Sequence, residues 1–146
     1  MAFNTRMDGI LDTMASALCA ESIRMNTTAS NLANAGSVGG SEKDTYHAKR
    51  PVFQSIQQKV AGLHGDVQPM GGVRVVDVVE SDAPLDWQYA PGNPLANKEG
   101  RVYVTDVNPI TEMTNMIAAS KEYQADVEVM NTTKSLLLQT IHAMNN

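Results

Sequence analysis

The side chains that could do chemistry in this 146-residue chain begin with a run of acidic residues in its middle. Carboxylate oxygens at such density are the ligands that divalent cations prefer. These residues, however, straddle both faces of the expected strands and a turn, so they do not converge on one point. We interpret them as solvated surface charge; they are Asp77, Glu80, Asp82 and Asp86.

Histidine and cysteine offer no stronger site. His47, His64 and His142 lack the spacing of metal ligands, and Cys19 is the only cysteine. Cys19 follows an apolar helix position with no histidine nearby, so we expect it to pack between helices. No serine lies in a nucleophile-elbow motif, and no glycine pair lies in a phosphate-binding loop. We therefore predict no enzyme activity, no cofactor and no metal.

Charge and hydropathy exclude further classes. The net charge is -5, the pI is about 5.0, and the basic residues form no stripe, so we expect no nucleic-acid partner. No apolar run approaches the ~18–20 residues of a membrane span. Residues 1–11 do not have the basic and apolar parts of a secretory signal peptide. Composition alone therefore predicts a cytoplasmic protein, unless another route exports it.

The elements that must position any site are two long amphipathic stretches, one at each end. In both, residues recur at alternating four- and three-residue steps, a spacing that puts one seam on one side of a helix. The front seam is Met7, Leu11, Met14, Leu18, Glu21, Met25, Thr28 and Leu32. The back seam is Met113, Met116, Ser120, Tyr123, Val127, Met130, Lys134, Leu137, Ile141 and Met144.

Capping signals bound these helices. The first is expected over residues 3–34, ending where Asn34 or Gly36 takes the left-handed conformation. Asn108 as N-cap and Pro109 as the first helical residue predict a second helix that continues to the end of the chain. We expect residues 1–35 and 108–146 to pair as an antiparallel coiled-coil domain. The fold class is then mainly α, with residues 36–107 as a loop and a small β-rich insert.

Within the insert, residues 36–44 are rich in glycine, serine and charge, which predicts an exposed, mobile loop. Residues 46–56 could be extended, at a sheet edge because of Pro51. Residues 73–76 predict a buried strand or a bulge, and residues 101–105 a further short strand. Alternation of Leu85, Trp87 and Tyr89 with polar residues predicts a half-buried strand.

Each helix has more apolar surface than one partner can cover. Leu136, Leu137 and Leu138 are consecutive and spread around most of a helical turn, while polar residues interrupt both seams. A helix that is apolar on more than one face needs more than one neighbour. We therefore expect each helical hairpin to pack against hairpins of other subunits in a tube or ring, with the ends of a lone subunit held loosely.

Three segments resemble a known family. Residues 29–35, ASNLANA, resemble the signature of bacterial flagellar rod and hook proteins, and residues 108–135 resemble the C-terminal pattern of that family. Residues 72–75 and 89–94 resemble its short, proximal rod members. Ser37, Ala90, Asn93 and Asp126 depart from the usual residues, and none of them breaks a helix or a turn.

The resemblance implies a structural subunit of the flagellar basal-body rod, a hollow drive shaft that transmits torque and passes exported proteins. It implies export without a cleaved signal by the flagellar type III apparatus and assembly in the periplasm. The implied partners are further copies of the chain, other rod proteins above and below, and the MS ring or export-gate adaptor at the base. The alternatives are a sibling rod or hook protein, which the short middle disfavours, or a soluble helical adaptor that binds a partner helix.

The residues expected to pack between subunits come from the seams and the signature. Asn34 is expected to end the first helix, whereas Asn31 could either end it or hydrogen-bond a neighbouring subunit. The full set is Leu11, Met14, Leu18, Met25, Ala29, Asn31, Leu32, Asn34, Met113, Met116, Tyr123, Val127, Met130, Leu137 and Ile141.

Overall fold

The computed structural model describes residues 2–61 and 67–144, in which two long helices flank three short strands and two strands of 13 and 14 residues. Strand β1 and a 3-10 turn follow the first helix, and strands β2 to β5 precede the second. Two helices with a small sheet region between them are as predicted. The elements are α1 (Ala2–Ala33), β1 (Val38–Gly39), the 3-10 turn (Glu42–Asp44), β2 (Lys49–Ala61), β3 (Val67–Glu80), β4 (Trp87–Tyr89), β5 (Arg101–Val104) and α2 (Pro109–Met144).

The start of α2 confirms the predicted cap. The Asn108 side-chain oxygen accepts hydrogen bonds from the backbone N–H groups of Ile110, at 3.0 Å, and Thr111, at 3.2 Å. Pro109 takes the first helical position, where its missing N–H is not needed. The cap satisfies donors that would otherwise lack a partner and so sets where α2 begins.

The end of α1 differs from the prediction. We expected a left-handed residue at Asn34 or Gly36, but among the described residues only Gly100, with φ 73°, has a positive φ. The helix ends instead in a tight turn, in which the Asn34 N–H donates to the carbonyl of Asn31 at 3.0 Å. The Asn34 side chain also donates to the Ser30 carbonyl at 2.8 Å, so its predicted role in ending the helix is confirmed through a different contact.

Residues 36–44, expected to be a loop, instead form the short strand β1 and the 3-10 turn. Val38 pairs with Val104 across an antiparallel ladder, and the Ser41 hydroxyl accepts the Asp44 N–H at 3.3 Å to cap the 3-10 turn. Gly39 is buried against the Thr45 hydroxyl so closely that a Cβ would collide with it. Composition predicts a loop here because the strand that orders the segment lies far along the chain, at Arg101–Val104.

The three-stranded sheet has the order β1-β5-β4. Strand β5 confirms the strand predicted at residues 101–105, and Val102 on it is buried. Trp87 and Tyr89 were expected to be half-buried but are 51 % and 71 % exposed. The register explains this, because Trp87 lies opposite Tyr103 on the face away from Val102, and β4 is an edge strand.

Strands β2 and β3 form a separate two-stranded ribbon. Both strands of a two-stranded ribbon are edge strands, so the predicted edge position of Pro51 in β2 is confirmed. In β3, Val73 and Val75 are half-buried and Val76 is exposed, so the prediction of a buried strand overstates its depth.

Side chains of α1 hold β3 of this ribbon. The Thr13 hydroxyl donates to the Gly71 carbonyl at 2.5 Å, and the Ser16 hydroxyl accepts the Val73 N–H at 3.1 Å. Gly72 lies between them, and a Cβ there would be 3.2 Å from the Ser16 hydroxyl. The two hydroxyls thus satisfy backbone groups of a strand edge that could otherwise pair with another chain.

The chain forms two compact units. One consists of Met1–Ile23, Phe53–Val76 and Ala119–Asn146, and the other of Arg24–Val52 and Asp77–Ala118. Each unit contains a part of each long helix. The expected division of the chain into residues 1–35 with 108–146, and 36–107, stays a prediction.

Candidate assembly site

The most deeply buried large side chain in the described part of the chain is an amide. Asn31, 2 % exposed, lies near the end of α1 in the second compact unit. Its Nδ2 donates to the Lys49 carbonyl at 2.8 Å and to Glu112 Oε2 at 3.2 Å. Its Oδ1 accepts from the Lys49 N–H at 2.8 Å and from the Tyr46 hydroxyl at 2.9 Å. We call these four residues the polar junction.

The junction fixes the orientation of the Asn31 amide. The Lys49 N–H can only donate and its carbonyl can only accept, so Oδ1 and Nδ2 cannot exchange places. The sequence suggested that Asn31 either ends the helix or hydrogen-bonds a neighbouring subunit, and neither role predicts this arrangement. The amide is fully used within the subunit, where it joins the end of α1, the start of β2 and the first turn of α2.

Two ionisable side chains respond to this environment. Partial burial raises the pKa of Tyr46 above its ordinary 10.0; the charge of Lys49 opposes the rise. For Asp106, partial burial acts to raise the pKa, but hydrogen bonds outweigh that effect and hold the pKa below its ordinary 3.8. The donors are the Ser81 side chain, the Ala48 N–H, at 2.7 Å, and the backbone N–H of Asp106 itself. The fold therefore favours the neutral Tyr46 and the ionised Asp106.

A pH dependence follows for Asp106. Because its pKa is lower in the folded state, its contribution to stability is fully present above the unfolded pKa of about 4 and is lost as pH falls through the folded value. The free energy of unfolding, measured by urea titration between pH 6 and pH 3, should decrease towards low pH. The Asp106→Asn variant, which keeps an acceptor for Ala48, should show a flatter decrease. An equally steep decrease in the variant would contradict the assignment.

Along both helices the most covered residues are small or polar. On α1 they include Ala20, Thr27 and Thr28, and on α2 they are Glu112, Ala119 and Thr133. The three on α2 are spaced by multiples of seven residues, so they lie on one line. Each of the three directly precedes a position of the back seam, namely Met113, Ser120 or Lys134. Protein interiors normally contain large apolar side chains. In the described part of these two helices, the large apolar side chains are half-buried or exposed instead.

The predicted packing residues are covered only in part. Ala29, Met113 and Ile141 are exposed, and Asn34 is half-buried. The side chains of the seam positions Met7 and Met144 lie outside the described residues. The other predicted apolar positions are half-buried; they are Leu11, Met14, Leu18, Met25, Leu32, Met116, Tyr123, Val127, Met130 and Leu137. Their role between subunits stays a prediction.

An exposed apolar stripe lies on the first turns of α2. Ile110, Met113 and Ile117 are 76 %, 55 % and 58 % exposed, and their spacing of three and four residues aligns them on one helix face. We call them the α2 stripe. The sequence prediction included Met113 but missed the two isoleucines, although the same helical spacing could have identified them. Leu136 and Leu138 are also exposed, further along α2.

The acidic run is exposed, as surface charge would be. In residues 2–61 and 67–144, no group of three or more histidine, cysteine or acidic side chains is placed to hold a metal ion. Over the same residues, no helix has an apolar stretch long enough to cross a membrane.

Comparisons with known proteins agree at both ends of the chain. Residues 11–39 match the family described as flagella basal body rod protein, and residues 98–142 match the C-terminal family of flagellar basal body rod FlgEFG proteins. The chain is 48 % identical over 132 residues to the flagellar basal-body rod protein FlgC of Escherichia coli O6:H1 and to that of Salmonella typhimurium. It is 33 % identical over 141 residues to FlgC of Bacillus subtilis. Each alignment covers 90 % of this chain and 93 % of the relative.

Proposed function

Because this chain belongs to the FlgC family of flagellar basal-body rod proteins and is a structural subunit of that rod, we propose that it assembles through its two terminal helices. In the assembly, residues 1–35 and 108–146 pack as an antiparallel coiled-coil domain against the same domain of neighbouring copies. Residues 36–107 form the smaller β-containing part. The chain acts mechanically and catalyses no reaction.

The observation that carries this proposal is the distribution of apolar side chains in the described residues. The buried apolar residues larger than alanine are Leu85, Val102 and Val107. Several large apolar side chains on α2, in contrast, are exposed, including the whole α2 stripe, Leu136 and Leu138. Contiguous exposed apolar surface of this kind is typical of protein–protein interfaces. Burial between subunits would supply the hydrophobic stabilisation that the single subunit does not obtain internally.

The proposed assembly is the proximal rod, a hollow shaft whose inner wall consists of terminal helices. The subunit would reach the periplasm through the flagellar type III export apparatus without a cleaved signal peptide. Its proposed neighbours are other copies, other rod proteins above and below, and the MS ring or the export-gate adaptor at the base. The few large apolar side chains buried in the described residues suit this route, because a subunit of low stability unfolds readily for export.

Complementation tests the proposal. The chain would be expressed in Escherichia coli lacking its FlgC, since the two proteins are 48 % identical. Purified basal bodies should contain the chain, and protease digestion should cut the ends of α1 and α2 faster in the free subunit than in basal bodies. Basal bodies that never contain the chain, or helix ends digested equally fast in both states, would refute assembly through the terminal helices.

A further inference from the structure

We propose that the buried pair of Asn31 and Glu112 sets the stagger between the terminal helices. Both residues belong to the same compact unit, Asn31 near the end of α1 and Glu112 in the first turn of α2. The 3.2 Å hydrogen bond between Nδ2 and Oε2 joins residues that are 81 positions apart in the chain. The stagger is the relative position of the two helices along their axes, and it determines which apolar residues of α2 lie beside those of α1. The importance of the stagger for assembly rests on the proposed function.

Asn31 is a fixed reference point for α2. Its amide pairs with both the N–H and the carbonyl of Lys49 and also accepts the Tyr46 hydroxyl. These contacts prevent the amide from following Glu112 if α2 slides. A slide of one helical turn moves Glu112 by about 5.4 Å, which breaks the bond and leaves a buried carboxylate without its donor.

Apolar side chains of the kind that both helices carry would specify the stagger less strictly. The half-buried positions include Met14, Met25, Met116 and Met130. Methionine is unbranched and fills gaps of different shapes, so contacts of this kind can re-form after a slide. A buried polar pair has one satisfied arrangement, and a single buried asparagine is known to fix register in coiled coils. Asn31 and Glu112 are therefore positioning residues for the helices.

The stagger can be measured as a distance between spin labels on the free, full-length chain. Labels would be attached to cysteines replacing the exposed residues Asn26 on α1 and Thr114 on α2, in a Cys19→Ser background. Glu112→Gln keeps the length of the side chain and an acceptor for Asn31, whereas Glu112→Met keeps the length alone. The parent and Glu112→Gln should give the same single, narrow distribution. Glu112→Met should add a second population displaced by about 5 Å or more, one helical turn.

A rescue experiment separates positioning from general stabilisation and remains decisive if Glu112→Met does not fold. Asn31→Asp places two carboxylates against each other and should broaden the distribution at neutral pH. Adding Glu112→Gln gives α2 a donor that can bind the carboxylate introduced on α1, and the narrow distribution should return. The hydrogen bond from Asn31 Nδ2 to the Lys49 carbonyl is lost both in Asn31→Asp and in the double variant, so its loss does not affect the comparison between them.

Two results would overturn the inference. One is a distribution in Glu112→Met that matches Glu112→Gln, and the other is a double variant that stays as broad as Asn31→Asp. Because the distances come from the free chain, they do not depend on rod assembly. A chain with the expected distances that fails to enter basal bodies would contradict the proposed function and leave the stagger inference standing.

Discussion

Replacing Met113 and Ile117 by glutamine is expected to prevent rod assembly while leaving the stability of the free subunit nearly unchanged. Both side chains are more than half exposed, and glutamine is a good helix former, so the free energy of unfolding should change by at most about 0.5 kcal/mol. In an assembly each substitution forfeits about 1 kcal/mol of apolar burial and adds the desolvation of an amide. For two residues this weakens each subunit contact by about 30-fold or more, since 1.4 kcal/mol is about tenfold in affinity.

The measurements are urea unfolding of the purified chain and the amount of chain recovered in basal bodies from the complemented strain. The matched control is Thr114→Gln with Lys121→Gln, which changes two exposed polar residues of the same helix. The control should assemble as the parent does. If the Met113 and Ile117 variant assembled equally well, the α2 stripe would not be an assembly surface.

Replacing Asn31 by alanine is expected to lower the free energy of unfolding by about 3–5 kcal/mol, a large share of the total for a domain of this size. The substitution removes four hydrogen bonds and leaves both backbone groups of Lys49, the Tyr46 hydroxyl and Glu112 without this partner. A buried polar group without a partner costs about 1–3 kcal/mol, although Tyr46 and Glu112 can recover part of this from water.

Asn34→Ala is the natural control, because Asn34 lies only three residues after Asn31. The substitution removes one exposed side-chain hydrogen bond, to the Ser30 carbonyl. Its cost should be about 1 kcal/mol or less. Urea unfolding of both variants at pH 7 makes the comparison. Equal losses for the two asparagines would show that the polar junction does not stabilise the fold as described.

The two predictions reflect one property of the described residues. Small and polar side chains such as Ala20, Thr27 and Asn31 are buried, while the large apolar side chains of the α2 stripe face outwards. A subunit built this way depends on its polar junction for internal order and on its apolar surface for association. Stability of the single chain and affinity between chains can then be changed separately by mutation.

Much of the fold is encoded in local sequence. The two helices, the Asn108 cap, strand β5 and the edge position of Pro51 were predictable, because each depends on residues within a few positions of one another. The predictions that failed depend on distant partners. Strand β1, within residues 36–44, exists through its pairing with β5, and the exposure of Trp87 and Tyr89 follows from which sheet face is covered.

The sequence by itself determined the terminal helices, their excess of apolar surface and the resemblance to flagellar rod proteins, because spacing and composition record these directly. Only the tertiary structure decided which helix face is covered within the subunit and which is exposed. It placed the covered line of α2 at Glu112, Ala119 and Thr133 and made Asn31 the most buried large side chain. The physical reason is that periodicity shows where a helix is apolar, whereas coverage depends on backbone and polar partners far away in the chain, here Lys49 and Glu112 for Asn31.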